Sequence, residues 1–164
     1  MKQKVPYVLG CSIGTRQIGI AVLRTGRIAH RRVSQFKGRW SSNKLQSIRG
    51  RIEKYARRYS VTAVSLKVPS RTHHTFGIKT IIAAIEEYCT SHSIRLHICN
   101  ITELKAHGIV EGRSNKKVLV QALAVKYTSL HLTALKEQSL KNSYYTKMFE
   151  AIAAAELLVE QLSN

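Results

Sequence analysis

Aspartate is absent from this chain of 164 residues, and its entire complement of side-chain carboxylates is nine glutamates. Hard divalent cations are held by clustered charged oxygens, so the missing aspartates narrow the places where such a cluster can form. Cysteine is scarce too. Cys11, Cys89 and Cys99 are odd in number and lie within apolar patterns, which argues against a disulfide framework and for small buried hydrophobes in a reducing compartment. No stretch offers the roughly 20 apolar residues of a membrane span. The start, Met1-Lys2-Gln3-Lys4-Val5-Pro6, runs into a strand pattern without the apolar block of a signal peptide, so a cytoplasmic protein without a membrane partner is expected. None of the seven histidines pairs with cysteines at zinc-finger spacing, and no metal or cofactor is expected.

What the chain has in excess is positive charge. Lys plus Arg number 27, giving a formal net charge of +18 and a pI near 10.3. A field of that sign gathers polyanions, of which nucleic acid is the commonest partner of a basic domain. With 44% hydrophobic residues the chain can bury a core, and its length suits a single domain over 1–164.

Apolar periodicity gives the order of elements. Val5 to Gly10 is a nearly continuous apolar run, Gln17 to Leu23 alternates, and Arg27 to Phe36 follows the Thr25-Gly26 turn. These three strands make a meander whose Arg31 and Arg32 need an exposed face. Ser41-Ser42-Asn43 caps a helix with an apolar stripe of Leu45, Ile48, Ile52, Tyr55 and Tyr59. A fourth strand, Val61 to Val68, stops at Pro69, and Ser70 to Gly77 is a basic loop. Ile78 to Ser91 reads as a helix, Arg95 to Cys99 as a fifth strand and Lys116 to Tyr127 as a helix. His131 to Ser143 reads as a short helix plus loop, and Tyr145 to Leu162 as an apolar last helix. A meander followed by alternating helices and strands predicts an α/β fold, a sheet covered on both faces.

The stretch Val8-Leu9-Gly10-Cys11-Ser12-Ile13-Gly14-Thr15 resembles the Gly-Ile-Asp-Pro-Gly-Ser/Thr opening of the RuvC-type Holliday-junction resolvases, with Gly10, Gly14 and Thr15 matching and Ser12 in the place of Asp. A second block, Leu104-Lys105, Gly108, Glu111-Gly112-Arg113-Ser114 and Lys116-Lys117-Val118, resembles the family segment in which two lysines near the scissile phosphate flank a Gly-rich turn. Lys105 and Lys116 align with those lysines, with Lys117 as the fallback. The resemblance implies an RNase H-like fold, a five-stranded mixed sheet with helices on both faces. It also allows a homodimer, since resolvases of this type work as dimers.

The same resemblance locates the family's carboxylates. The glutamate ending the fourth strand falls on Lys67, and the Asp-x-x-Asp of the last helix falls on Lys147-Met148-Phe149-Glu150. Only Glu150 is acidic. Two-metal cleavage of a phosphodiester needs several carboxylates around the ions, and each exchange of a carboxylate for an ammonium reverses a charge. Ser12, Lys67, Lys147 and Glu150 therefore read as a degenerate site that still converges, with a Lys67 to Glu150 ion pair in place of the metal.

The expected function is nucleic-acid binding without cutting, on branched or duplex DNA, through Arg31, Arg32, Lys37, Arg39, Trp40, Lys44, Arg51, Lys54, Arg58, Lys105, Arg113, Lys116 and Lys117. Trp40 either packs against the sheet or stacks on an unpaired base. The alternative is an active metal-dependent endonuclease, a junction resolvase or a YqgF-type RNA-processing nuclease. Such an enzyme would hold magnesium or manganese through Glu150, Ser12 and backbone carbonyls, or would borrow Glu86, Glu103 or Glu111. Against the YqgF type, no Asp-Glu-Arg block follows the fifth strand. A third class is an adaptor whose basic surface meets an acidic protein.

Overall fold

Five strands, β1 (Val8–Ser12), β2 (Gln17–Arg24), β3 (Arg27–Gln35), β4 (Ala63–Lys67) and β5 (Arg95–Cys99), form one mixed sheet in the order β3-β2-β1-β4-β5. The structure is a computed structural model and describes residues 5–106 and 116–164, without the side chains of Lys105, Ala106 and Lys116. Tight turns join β1, β2 and β3 as antiparallel neighbours, whereas β4 and β5 run parallel to β1. Parallel pairing needs long crossovers, and α1 (Ser42–Arg58) and α2 (Phe76–Ser91) supply them. The remaining helices are α3 (Ile101–Ala106), α4 (Lys116–Lys126), α5 (His131–Ser139) and α6 (Thr146–Ser163).

Alternation along the strands divides the interior in two. Leu9 and Cys11 of β1, Ile18, Ile20 and Val22 of β2, and Val64 and Leu66 of β4 meet Ile48, Ile52 and Tyr55 of α1 and Ile78, Ile81 and Ile85 of α2. The opposite phase, Val8, Ala21, Leu23 and Ala63, meets α4 and α6. Both faces are thus covered, and α6 is buried continuously from Met148 to Leu158. Ser41 caps α1, its hydroxyl accepting from Lys44 N at 3.1 Å, as the Ser-Ser-Asn pattern predicts.

Boundaries differ from the periodic reading where hydrogen bonding overrides hydropathy. Pro6 has no N–H for a ladder, so β1 starts at Val8, and it continues to Ser12 because Ser12 pairs with both Gly19 and Lys67. Helix α2 starts two residues early, at Phe76, because the Thr75 hydroxyl accepts from Ile78 N. The six-residue α3 is too short to show a period.

Glu137 fixes the entry to α6. Its carboxylate accepts from Tyr145 N (2.7 Å), Tyr144 N (3.1 Å), Thr146 Oγ1 (2.8 Å) and Ser143 Oγ (2.9 Å). Burial alone would raise its pKa, but these donors outweigh burial and hold the carboxyl below its ordinary range. Glu137→Gln is expected to cost about 1 to 3 kcal/mol at neutral pH. Because the folded pKa lies below the unfolded one, that contribution is present above the unfolded value, near 4.3, and is lost as pH falls through the folded value. Urea unfolding at neutral and acidic pH checks both points: the gap between wild type and variant should close in acid.

Candidate functional site

Two glycines set the distance between α6 and the sheet. A Cβ on Gly10 would stand 2.0 Å from Ala151 O, and one on Gly19 would stand 1.9 Å from Lys147 O. Only bare backbone lets the helix lie this close, and the approach brings the first turns of α6 over the ends of β1 and β4. Ser12 and Lys67 end those strands as register partners, and Ile13 N donates to Lys67 O at 3.1 Å. From above, Glu150 forms an ion pair with Lys67 Nζ. Lys147, one turn earlier, donates from Nζ to Ile13 O at 3.0 Å.

Ser12, Lys67 and Glu150 are buried, whereas Lys147 is half-buried. Glu150 is 3% exposed, Lys67 8% and Ser12 0%. Glu150 Oε1 and Ser12 Oγ are buried without a hydrogen-bond partner among the described residues. One carboxylate beside two ammonium groups leaves the cluster net positive, which attracts an anionic group and repels a cation. Among the described residues no three His, Cys or Glu side chains gather as metal ligands do. Glu86 lies exposed on α2, and Glu103 is bound to His97 Nε2 at 2.8 Å. Glu111 lies outside the described residues.

Basic residues flank this end of the sheet and its outer edge. Lys37 is exposed and lines, with Arg16, Gln35, Phe36 and Gly38, a cleft of about 370 Å³ beside the β1–β2 turn. Arg39 is exposed next to it. Trp40 is half-buried against the core under α1 and α2. Its ring lies so near Gly77 that a Cβ there would be 3.0 Å from Trp40 Cδ2, so packing accounts for much of its surface. Lys44 is buried and donates from Nζ to Gly38 O at 2.8 Å; its ammonium holds the basic loop and is turned away from solvent. Arg31 and Arg32, neighbours on β3, point to opposite faces. Arg31 donates to Thr133 Oγ1 (2.9 Å) and Ser129 O (3.1 Å), and Arg32 donates to Tyr55 OH (3.0 Å).

Along α1, Arg51 is half-buried while Lys54 and Arg58 are exposed. Lys117 is exposed at the start of α4, and Arg113 and the side chains of Lys105 and Lys116 lie outside the described residues.

Several residues carry no signal in the hydropathy pattern. Phe76 is 75% exposed at the start of α2; an isolated Phe next to a Gly reads equally well as core. Arg16 sits in the tight β1–β2 turn, and Arg24 and Arg27 flank the Thr25-Gly26 turn, where a sequence alone reports only solubility.

No protein-family model and no curated protein matches the sequence. Solved structures do match. RuvC of Thermus thermophilus in complex with a Holliday-junction substrate is similar at a TM-score of 0.73 and 13% identity, over 96% of both chains. A second Thermus thermophilus RuvC structure is similar at 0.69 and 15%, again over 96% of both. Fowlpox virus resolvase, in complex with Holliday-junction DNA, is similar at 0.56 and 14%, over 94% of this chain and 99% of that one. At such identities the likeness is one of fold, and it agrees with the observed strand order: the chain has the RNase H-like α/β fold, a five-stranded mixed sheet with helices on both faces. Among the described residues no helix is long and apolar enough to cross a membrane.

Proposed function

We propose that this chain binds nucleic acid on a resolvase-like scaffold and does not cut it. The observation that carries the reading is the Lys67 to Glu150 ion pair at the ends of β4 and β1. In the resolvases resembled, carboxylates at the matching positions gather divalent ions, and the residues here do not fit that role. Ser12 offers a neutral hydroxyl, Lys67 and Lys147 offer ammonium groups, and the one carboxylate is already neutralised by Lys67. A divalent ion would have to displace an ammonium and enter a site of its own sign, so no step of the function runs through a metal.

The net charge of +18 supports the binding half of the reading. So do the two structural neighbours whose complexes hold Holliday-junction DNA. In this reading residues 1–164 form one domain, and branched or duplex DNA is the ligand. Lys37, Arg39, Arg51, Lys54 and Arg58 meet phosphates, joined by Lys117 at the start of α4 and by Lys105, Arg113 and Lys116, whose side chains lie outside the described residues. Such contacts give affinity with little sequence preference.

The binding should be strongly electrostatic. If about six phosphates are neutralised, log affinity falls against log salt with a slope near −5 on duplex DNA. Arg51→Gln, Lys54→Gln and Arg58→Gln combined should weaken binding to all duplex sequences alike and leave thermal unfolding in place, because none of the three is among the buried residues of α1. A salt titration shallower than about −2 would refute an extended basic interface.

A further inference from the structure

We propose that the phosphate contacts of Lys54 and Arg58 continue through a second phosphodiester-binding stretch on the outer edge of the sheet, where β3 meets the C-terminal half of α1 and where Arg24 and Arg32 join them to hold the backbone of a nucleic-acid arm leading away from the strand-end cluster. The proposal rests on the nucleic-acid reading and adds the path of the ligand. Its basis is a run of aromatic rings in contact. Tyr55 stacks on His30 with centroids 4.4 Å apart, His30 lies 6.1 Å from Tyr59, and Tyr59 meets Tyr7 edge to face at 5.6 Å. Each tyrosine carries a cation. Lys54 Nζ is 5.7 Å from the Tyr55 centroid, Arg58 Cζ 5.7 Å from that of Tyr59, and Arg24 Cζ 5.1 Å from that of Tyr7. Arg32 donates to Tyr55 OH at 3.0 Å.

The described ion pairs involve none of these four cations. Rings fix a cation's position without cancelling its charge, so the charge stays available to an outside anion. Beyond Tyr7 the stripe opens into a cleft of about 320 Å³ that also takes in Arg27. Strand β3 runs from Arg27 in this cleft to Gln35 in the cleft of Arg16 and Lys37. At about 3.3 Å per residue the two clefts are roughly 26 Å apart. That span matches about eight phosphates of one strand at about 3.4 Å each.

His30 gives the site a signature. Burial, then Arg58, Arg32 and Lys54, hold its pKa below the ordinary histidine value, and its Nε2 is buried without a hydrogen-bond partner among the described residues. The charged and titratable groups around it are Arg32 of β3, Lys54, Tyr55, Arg58 and Tyr59 of α1, and no described carboxylate pairs with any of them. Phosphates on the three cations remove their repulsion while burial remains, so His30 takes up a proton more readily when nucleic acid is bound, and affinity rises as pH falls below the ordinary histidine value.

The test is fluorescence anisotropy of the full chain with a labelled duplex of about 16 base pairs, twice the span of the stripe. Arg24→Gln, Arg32→Gln and Arg58→Gln combined should lower affinity at least about tenfold and reduce the magnitude of the salt slope by about 2.7, one increment of about 0.9 per lost contact. The single change Arg24→Gln, on the exposed hairpin end, should show one such increment if the triple variant fails to fold. His30→Gln should abolish the gain in affinity on acidification. If the triple variant keeps the wild-type affinity and slope while Arg16→Gln with Lys37→Gln weakens binding, the β3–α1 edge, Arg58 included, is no part of the interface, and the nucleic-acid reading stands on the Lys37 and Arg39 side alone. If the unmodified protein binds neither duplex nor junction, both fall.

Discussion

Lys67→Met is expected to lower stability by about 3 to 5 kcal/mol, the usual cost of removing one partner from a buried ion pair. Glu150 is 3% exposed, and one of its oxygens already lacks a hydrogen-bond partner among the described residues, so removing the ammonium leaves a buried carboxylate without its ion-pair partner. Glu150→Leu should cost less, because the Lys67 side chain keeps 11% of its surface and its flexible stem can carry the ammonium outward. Combined, Lys67→Met and Glu150→Leu should recover most of the loss, since replacing both members of a buried pair by apolar groups is often neutral or stabilising. Urea unfolding of the two single variants and the double variant measures the cycle. A single-variant loss under about 1 kcal/mol would show that the pair is solvated, and with it the picture of an ammonium standing in a buried metal site would fail.

The second large effect is a gain. Ser12→Asp, Lys67→Glu and Lys147→Asp together put carboxylates on both strand ends and the first turn of α6, beside Glu150. Without a metal these groups repel one another, so the variant is expected to be less stable than the natural protein. Manganese or magnesium should restore it, with an affinity on the order of 10⁻⁴ to 10⁻³ M, the weak end of carboxylate sites. At a hundredfold excess over the dissociation constant the stabilisation is about 2.7 kcal/mol, read as a rise in melting temperature that the natural sequence does not show. Cleavage need not follow, because catalytic groups must be held within about 0.5 Å and the Lys147 bond to Ile13 O, which helps seat the helix, is lost. If the variant gains no stability from either ion, the four positions do not converge tightly enough to be a former metal site.

The order of elements along the chain and the two-faced core were legible because they rest on periodicity, whereas the five-stranded mixed sheet was legible through the resemblance to the resolvases. The continuous apolar run before Ser12 marks a strand buried on both faces, Gln17 to Leu23 alternates, and the Ile48, Ile52 and Tyr55 stripe repeats at helical spacing. Ser12, Lys67 and Glu150 were legible for a related reason: each lies at a fixed place in an element, and strand phase with a resolvase-like motif brings them to one point. The basic surface was legible in composition and much less so residue by residue. Lys44 reads as one more cation on a polar face, yet a turn of backbone at Gly38 takes its ammonium inward. Arg31 and Arg32 read as one dibasic signal, but the two-residue period of a strand sends them to opposite faces. The aromatic run of Tyr7, His30, Tyr55 and Tyr59 joins the approach to β1 with β3 and α1, a juxtaposition made by the tertiary fold and absent from any local window.

The central claim is that this scaffold binds nucleic acid but does not cut it. The most direct measurement is incubation of the natural protein with a labelled four-way junction, with and without magnesium or manganese, scoring retention on a native gel and strand scission on a denaturing gel from the same samples. The account predicts retention that falls steeply with salt, is indifferent to the divalent ion beyond its ionic strength, and is accompanied by no scission. Metal-dependent nicking that Glu150→Gln abolishes would contradict it.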